Sequence, residues 1–401
     1  MSFIKVSHPS LRRLLLALLI ASIAFGLRWQ AAEYLAIDHD EDTYLNHALH
    51  YATSLRQGLS SGATQGNWRQ VYKYDKNVEH PALSKLVYGI ALLAVSPAEY
   101  LPLKDIPYKV PANQTSGALW IIAARRVAAV MGSLAVFALA LLNPLAGLLL
   151  AVQTTEIKFT AEIYLEPLPN LFALLTLLAY DRWQRREFQP APPRWNWLWL
   201  AFSAGALGIT AAGKYIYCVV GLAILLDFAL RLWQHRAERQ RTLRRVGMLC
   251  AWGLAALAAF FIANPMIWIH TWERFSESVR FHIRYTTSDN VLGSGRAWWH
   301  PLYLLFRSIP TDYPWDASVF WLKIDPWISA LGFLGLPLAW KQYRPVAIWW
   351  LVAMFFLLLW ATKWDQYILI VLPAMCFQAA LSLDWGVKQS LALLKRLFTG
   401  L

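Results

Sequence analysis

The chain has 401 residues, of which 58% are hydrophobic and only 15% charged, with 22 tryptophans and a formal net charge of +13. That balance excludes a soluble globular domain and describes a polytopic membrane protein, in which the basic excess serves membrane topology rather than nucleic acid. The three cysteines (Cys218, Cys250, Cys376) are odd in number, far apart and each inside an apolar run, which excludes a secreted disulfide scaffold and a zinc site.

The first apolar run, residues 10–29, begins with Arg12 and Arg13 and imitates a signal peptide. No small-residue cleavage pattern follows in "ASIAFGLRWQAAEY", and removing the segment would spoil the charge asymmetry described below, so it is read as the first membrane helix. Directly after it, "AIDHDEDTYLNHALHYA" (residues 36–52) concentrates acids and histidines. Tyr44, Leu45, Ala48, Leu49, Ala52 and Leu55 recur at helical spacing, which predicts an amphipathic helix along the membrane surface with Asp40, Glu41 and Asp42 at its start. Carboxylates at that position serve either as caps or as chemistry. "HPALSKLVYGIALLAVSP" (residues 80–97) approaches the length of a span, yet counting it would invert every later loop; it is read as re-entrant or interfacial.

Further apolar runs at 118–142, 145–160, 165–181, 196–212, 214–231, 246–269, 326–340, 345–361 and 364–384 bring the expectation to about ten spans in a single integral membrane domain covering 1–401. Arg125 and Arg126 near the start of the first of these are read as an interfacial pair. With both termini cytoplasmic, the N-terminal tail, "DRWQRREFQPAPPR", "RLWQHRAERQRTLRR", "KQYR" and the C-terminal tail lie inside and hold much of the Lys and Arg. The loops 30–117 and 270–325 are then extracytoplasmic, and the acidic cluster with them. Lys214, in "ITAAGKYIYCVVG", has no acid near it in sequence; such a lysine either snorkels to the interface or meets an anion. In the late loop, "VRFHIRY" sets Arg280, His282 and Arg284 along one side of a strand or on neighbouring helical positions, as a phosphate clamp or a patch for lipid headgroups. Trp298, Trp299, Trp315 and Trp321 read as interfacial anchors or the flanks of a lipid-tail groove.

The pair "DEDTY" and "EHPALSKLVYG" resembles the first outer loop of GT-C-type glycosyltransferases, most of all the protein O-mannosyltransferases, with their Asp-Glu pair followed by His-Pro-Pro-Leu and a lysine. Lipid A aminoarabinose transferases are more distant relatives of that pattern. "ARRVAAVMGSLAV", "IYLEPLPNLFALL", "GITAAGKYIY" and "TKWDQYILIVLP" follow in the same order as corresponding family elements. The chain departs from the pattern in having Ala82 where the second proline stands and Glu166 where the family commonly has Asp, and 270–325 leaves no room for the soluble carbohydrate-binding insert of eukaryotic members.

The resemblance implies an all-α, GT-C-like membrane enzyme, in the plasma membrane of a bacterium, moving a sugar from a polyprenyl-phosphate carrier to a hydroxyl on a protein, lipid or glycan. Such transfer needs a base for the hydroxyl and cations for the departing phosphate. Asp40 is the candidate base, with Glu41, Asp42 and Asp38 as alternatives, and the adjacent acids either tune it or hold a divalent cation. On the substrate side stand His80, Lys85, Glu166, Lys214, Arg280, His282, Arg284, Lys363 and Tyr367; His80, beside Pro81, also admits a structural role. Partners are then the lipid-linked donor, the acceptor and membrane lipid, without nucleic acid. Two rivals are a lipid or sugar transporter or flippase, for which no self-similarity between the halves is found, and an inactive GT-C-fold subunit.

Overall fold

The computed structural model describes residues 11–61, 80–97, 101, 103, 106–115, 117–189, 191–268, 270–310 and 315–399. Lys5, Glu79 and most of the chain linking the first two helices of the outer loop lie outside the described residues. In chain order the α-helices are α1 (Leu11–Tyr34), α2 (Glu41–Ser61), α3 (Leu83–Leu92), α4 (Ala118–Leu142), α5 (Pro144–Val152), α6 (Thr154–Phe159), α7 (Pro167–Glu187) and α8 (Trp197–Gly213). They continue with α9 (Val219–Gln234), α10 (Arg239–Ala263), α11 (Thr271–Tyr285), α12 (Asp289–Gly293), α13 (His300–Leu305), α14 (Asp325–Gln342), α15 (Arg344–Leu359) and α16 (Leu372–Thr399).

Every apolar run read from the sequence is helical, and the molecule is an all-helical polytopic membrane protein. By length and composition, four helical stretches among the described residues suffice to cross a bilayer: Leu11–Tyr34, Ala118–Leu142, Tyr215–Gln234 and Arg239–Ala263. The last of these is only 17% buried along its apolar window, and Leu254, Leu257 and Ile262 stand exposed on it. A helix so apolar and so uncovered needs a hydrocarbon solvent. One run is broken: residues 145–160 divide at Gln153 into α5 and α6. The separation read between 196–212 and 214–231 falls at Lys214, whose extended backbone (φ −163°, ψ 124°) ends α8 before a short 3-10 turn, Tyr215–Cys218.

The core is built from the packed helix pairs α1–α4, α7–α8, α8–α10, α9–α15 and α14–α16. In the first outer loop, α2 buries the predicted stripe of Tyr44, Leu45, Ala48, Leu49 and Ala52 and packs against α3. Gly89 makes that approach possible: a Cβ there would lie 2.8 Å from the Ala48 carbonyl oxygen and 2.7 Å from Tyr51 Cβ. At ten residues α3 rises about 15 Å, half a hydrocarbon core, as expected for a re-entrant or interfacial element.

Candidate active site

The site is assembled around the turn between α1 and α2. An isolated bridge pairs Ala36 with Pro111, and Ile37 donates its N–H to the Val110 carbonyl (2.9 Å) while accepting from Lys109 N–H (3.1 Å). Residues 106–112 therefore return from the far end of the outer loop to brace the acidic segment. Lys109 sits in the left-handed region (φ 65°) where this strap turns.

Arg125 corrects the sequence reading. It lies about 10 Å along α4 from Ala118 and is fully buried rather than interfacial. Its Nε donates to Glu41 Oε1 (2.8 Å) and its Nη2 to Glu41 Oε2 (2.5 Å) and the Ala36 carbonyl; Nη1 donates to the carbonyls of Ala32 and Leu35. All five guanidinium N–H groups are thereby used, closing the C-terminus of α1 onto the start of α2. Glu41 also accepts from the N–H groups of Ile163 (2.7 Å) and Asp38 (2.9 Å). Its carboxylate is thus committed to holding the turn. Arg126, by contrast, pairs with Glu33 (2.7 Å) over the Trp29 ring.

Asp38 is committed as well: it accepts from Lys158 Nζ (2.9 Å) and Tyr164 OH (2.8 Å). Burial works to raise its pKa, but the Lys158 ammonium, with these hydrogen bonds and that of the Asp40 amide, prevails and lowers it from 3.8 to about 2. Lys158 spans to Glu162 (2.6 Å), whose own pKa is raised, first by burial and further by the charges of Glu41 and Asp38. Asp42 accepts from Tyr108 OH (3.1 Å). Asp40, just before α2, keeps 45% of its side chain exposed, with His39 Nδ1 3.8 Å from its Oδ1, and its charge bears on both Tyr164 and Glu166.

Helix α3 is fastened beside this turn. Tyr88 OH donates to the Tyr164 carbonyl (2.5 Å), and Ser84 Oγ to the carbonyls of Leu165 (3.1 Å) and Gly213 (3.4 Å). These bonds bring together Lys85 on α3, Glu166 at the N-terminus of α7 and Lys214 at the break after α8. Lys85 is fully buried, its Nζ 3.4 Å from the His80 carbonyl. Lys214, with no acid near it in sequence, pairs with Glu166 (2.5 Å), the two being 3% and 0% exposed, and lies 5.0 Å from the centre of the Tyr367 ring. Proximity from 48 residues away is invisible to local sequence spacing. Ala82, standing where the resembling family has proline, donates its N–H to Asn264 Oδ1 (3.1 Å), a bond proline cannot make.

The late loop contributes His282. Since α11 is a helix and not a strand, residues two apart point away from one another while residues four apart align. His282 meets His80 (ring centres 6.1 Å apart) and Tyr215 (5.8 Å), whereas Arg280 and Arg284 stand exposed on another face. His80 in turn lies 6.4 Å from Tyr44. Lys363 stands elsewhere: its ammonium donates to the carbonyls of Leu357 (2.7 Å), Leu358 (3.0 Å) and Trp360, capping α15. The structure thus gathers Asp40, His80, Lys85, Glu166, Lys214, His282 and Tyr367 around one region, with Glu41 beneath it, and leaves Arg280, Arg284 and Lys363 outside. Sequence reasoning misplaced Arg125 and missed Lys158, Tyr164 and Asn264; only the i, i+4 spacing of Lys158 and Glu162 signalled one of these pairings. Among the described residues no three His, Cys, Asp or Glu side chains converge to hold a metal ion.

No protein-family model matches this sequence, and no curated protein sequence does. Solved structures do. The chain is similar to ArnT from Cupriavidus metallidurans bound to undecaprenyl phosphate (16% identity, 94% of this chain and 62% of that one, TM-score 0.56) and to the same protein in the apo state (15%, 92% and 59%, TM-score 0.55). It is also similar to the S. cerevisiae protein O-mannosyltransferase Pmt1-Pmt2 complex bound to the sugar donor (18% identity, 66% of this chain and 34% of that one, TM-score 0.50). It spans about three fifths of the ArnT chain and about a third of the mannosyltransferase chain. These likenesses show that the chain shares its all-helical membrane fold with ArnT and with the protein O-mannosyltransferase, the fold of GT-C enzymes that its sequence resembles.

Proposed function

We propose that the protein is a membrane glycosyltransferase that moves a sugar from a polyprenyl-phosphate carrier to an acceptor hydroxyl at the extracytoplasmic face of a plasma membrane, with inversion and with Asp40 as base. The observation that carries the reading is the division of labour among the clustered acids. Glu41 is locked by Arg125 and Asp38 by Lys158, whereas Asp40 remains 45% exposed at the turn they fix. A base must reach its proton, and a carboxylate spent on a buried guanidinium does not. Lys85 and Lys214 form the cationic side, where charge grows on the departing phosphate, with His80 and His282 beside them as hydrogen-bonding groups, and Glu166 and Tyr367 hold Lys214 in place. Both ArnT, which was solved with undecaprenyl phosphate, and the yeast mannosyltransferase, solved with its sugar donor, support a lipid-phosphate donor. A mannosyl donor and cytoplasmic termini belong to the same proposal.

The test uses purified protein in detergent, a radiolabelled polyprenyl-phosphate sugar and a panel of protein, lipid and glycan acceptors. Asp40→Asn is expected to abolish transfer while undecaprenyl phosphate still raises the melting temperature as in the wild type, because the change removes the proton acceptor and not the phosphate side. Unchanged turnover in Asp40→Asn ends the candidacy of Asp40.

A further inference from the structure

A cavity of about 470 Å³ opens against the 35–39 segment. Asp38 and His39 line it, two residues and one residue from Asp40, together with Lys158 and Glu162; none of His80, Lys85, Glu166, Lys214 or His282 does. The acidic turn therefore borders a cavity that none of the groups assigned to the departing phosphate lines. In inverting transfer the acceptor attacks the face of the anomeric carbon opposite the leaving group, so its site is separate from the phosphate site.

The lining specifies a chemistry. Four carboxylates (Asp38, Glu162, Asp316, Asp365) face three cations (Lys109, Lys158, Arg307), so the cavity has no anion-attracting excess. Lys158 is spent on Asp38 and Glu162, and Arg307 (38% exposed) lies 3.8 Å from Asp365. Paired donors and acceptors of this kind suit hydroxyl groups, each of which gives and takes a hydrogen bond. Tyr108, 42% exposed, stacks on His39 (ring centres 5.1 Å apart, 17° between planes), and Phe159 and Phe320 add apolar walls. The volume falls in the ordinary range for a small ligand, about 300–1,000 Å³. A peptide has less to hold it here, because the nearest strand-like backbone, at Ile37, already spends both its N–H and its C=O on the 109–110 strap.

We infer that this cavity is the acceptor subsite and that it takes a neutral carbohydrate, a mono- or disaccharide unit whose hydroxyl is presented toward Asp40. The inference rests on the glycosyltransferase reading above, and the experiment separates the two. Saturation-transfer NMR on the full-length protein in detergent, with mannobiose and cellobiose as probes and glucose 6-phosphate and a Ser/Thr-rich peptide as alternatives, reads the cavity. The melting-temperature shift with undecaprenyl phosphate reads the donor side. Tyr108→Ala and Arg307→Ala, both at exposed side chains, are each expected to weaken disaccharide binding about tenfold or more, through loss of a stacking face or of a charge-assisted hydrogen bond, while the lipid-phosphate shift stays as in the wild type. Disaccharide binding that survives both substitutions overturns the inference, as does a wild-type protein that takes the lipid phosphate but prefers the peptide or the sugar phosphate. Loss of the lipid-phosphate shift in these two variants makes the cavity part of the donor side, which also overturns it. A wild-type protein that takes the disaccharide and ignores undecaprenyl phosphate sinks the glycosyltransferase reading and leaves the carbohydrate site standing.

Discussion

Four acids fall within five residues here, and their local sequence surroundings do not sort them. Partners 84 and 120 residues away do: Arg125 takes Glu41 and Lys158 takes Asp38. That is why the sequence pointed to the cluster but not to the separate duties within it. The sorting has measurable consequences. Glu41→Gln leaves the buried Arg125 charge without its counter-ion, a change that costs about 3–5 kcal/mol. Its melting temperature in detergent is expected to fall well below that of the wild type, whereas Asp40→Asn, equally inactive, melts near it. Equal melting of the two variants would show that the Arg125 clamp has no structural weight. Asp38 makes a second, pH-dependent case. Its pKa falls from 3.8 to about 2 on folding, so its contribution to stability is complete above about pH 4 and disappears as pH falls toward 2. Melting curves between pH 5 and 2.5 are expected to decline less steeply for Asp38→Asn than for the wild type; parallel declines would mean that the Lys158 pair forms no part of the acid response.

At the scale of elements, the helix breaks matter more than the helices. Hydrophobic runs are readable from composition, and the charge of Lys214 marks one break, but whether 145–160 is one helix or two depends on the extended backbone at Gln153, which has no proline to announce it. The break at Lys214 sets its ammonium against Glu166, so the two cannot be tested one at a time. Lys214→Met alone strands a fully buried carboxylate and is expected to melt early for that reason. The double variant Lys214→Met, Glu166→Gln removes both charges and is expected to regain most of that stability. If Lys214 stabilises the departing phosphate, the double variant still loses roughly a hundredfold in rate at saturating acceptor, the usual scale for a positioned charge at a developing anion. Near-wild-type turnover would reduce Lys214 to the counter-ion of Glu166. Helix α11 teaches a related lesson. Its sequence allowed strand or helix, and the choice of helix separates His282 from the two arginines that flank it at every second position.

For the whole molecule, sidedness decides whether the proposed site can work, and one short passage carries it. From Arg125, at the level of Glu41, helix α4 runs on for 17 residues, about 26 Å, yet Lys158 at the end of α6 is back within 2.9 Å of Asp38. The return is made by α5 and α6, nine and six residues, which together are shorter than a single bilayer crossing by straight helix. Gly147 admits this close return, since a Cβ there would lie 2.7 Å from Ala140 Cα on α4. His282 of the late loop meets His80 of the first loop, so these two segments share one face, and the proposed topology puts Arg239, Arg241, Arg244 and Arg245 on the opposite face, in keeping with the positive-inside rule. Replacing the three native cysteines by alanine and introducing single cysteines at exposed positions tests this directly. Asn113→Cys and Asn290→Cys are expected to react with an impermeant maleimide on intact cells, and Gln240→Cys and Lys341→Cys only after permeabilisation. Labelling of positions 113 and 290 from opposite sides would mean that α5 and α6 do not complete the return, and Asp40 and His282 could not then share one face of the membrane.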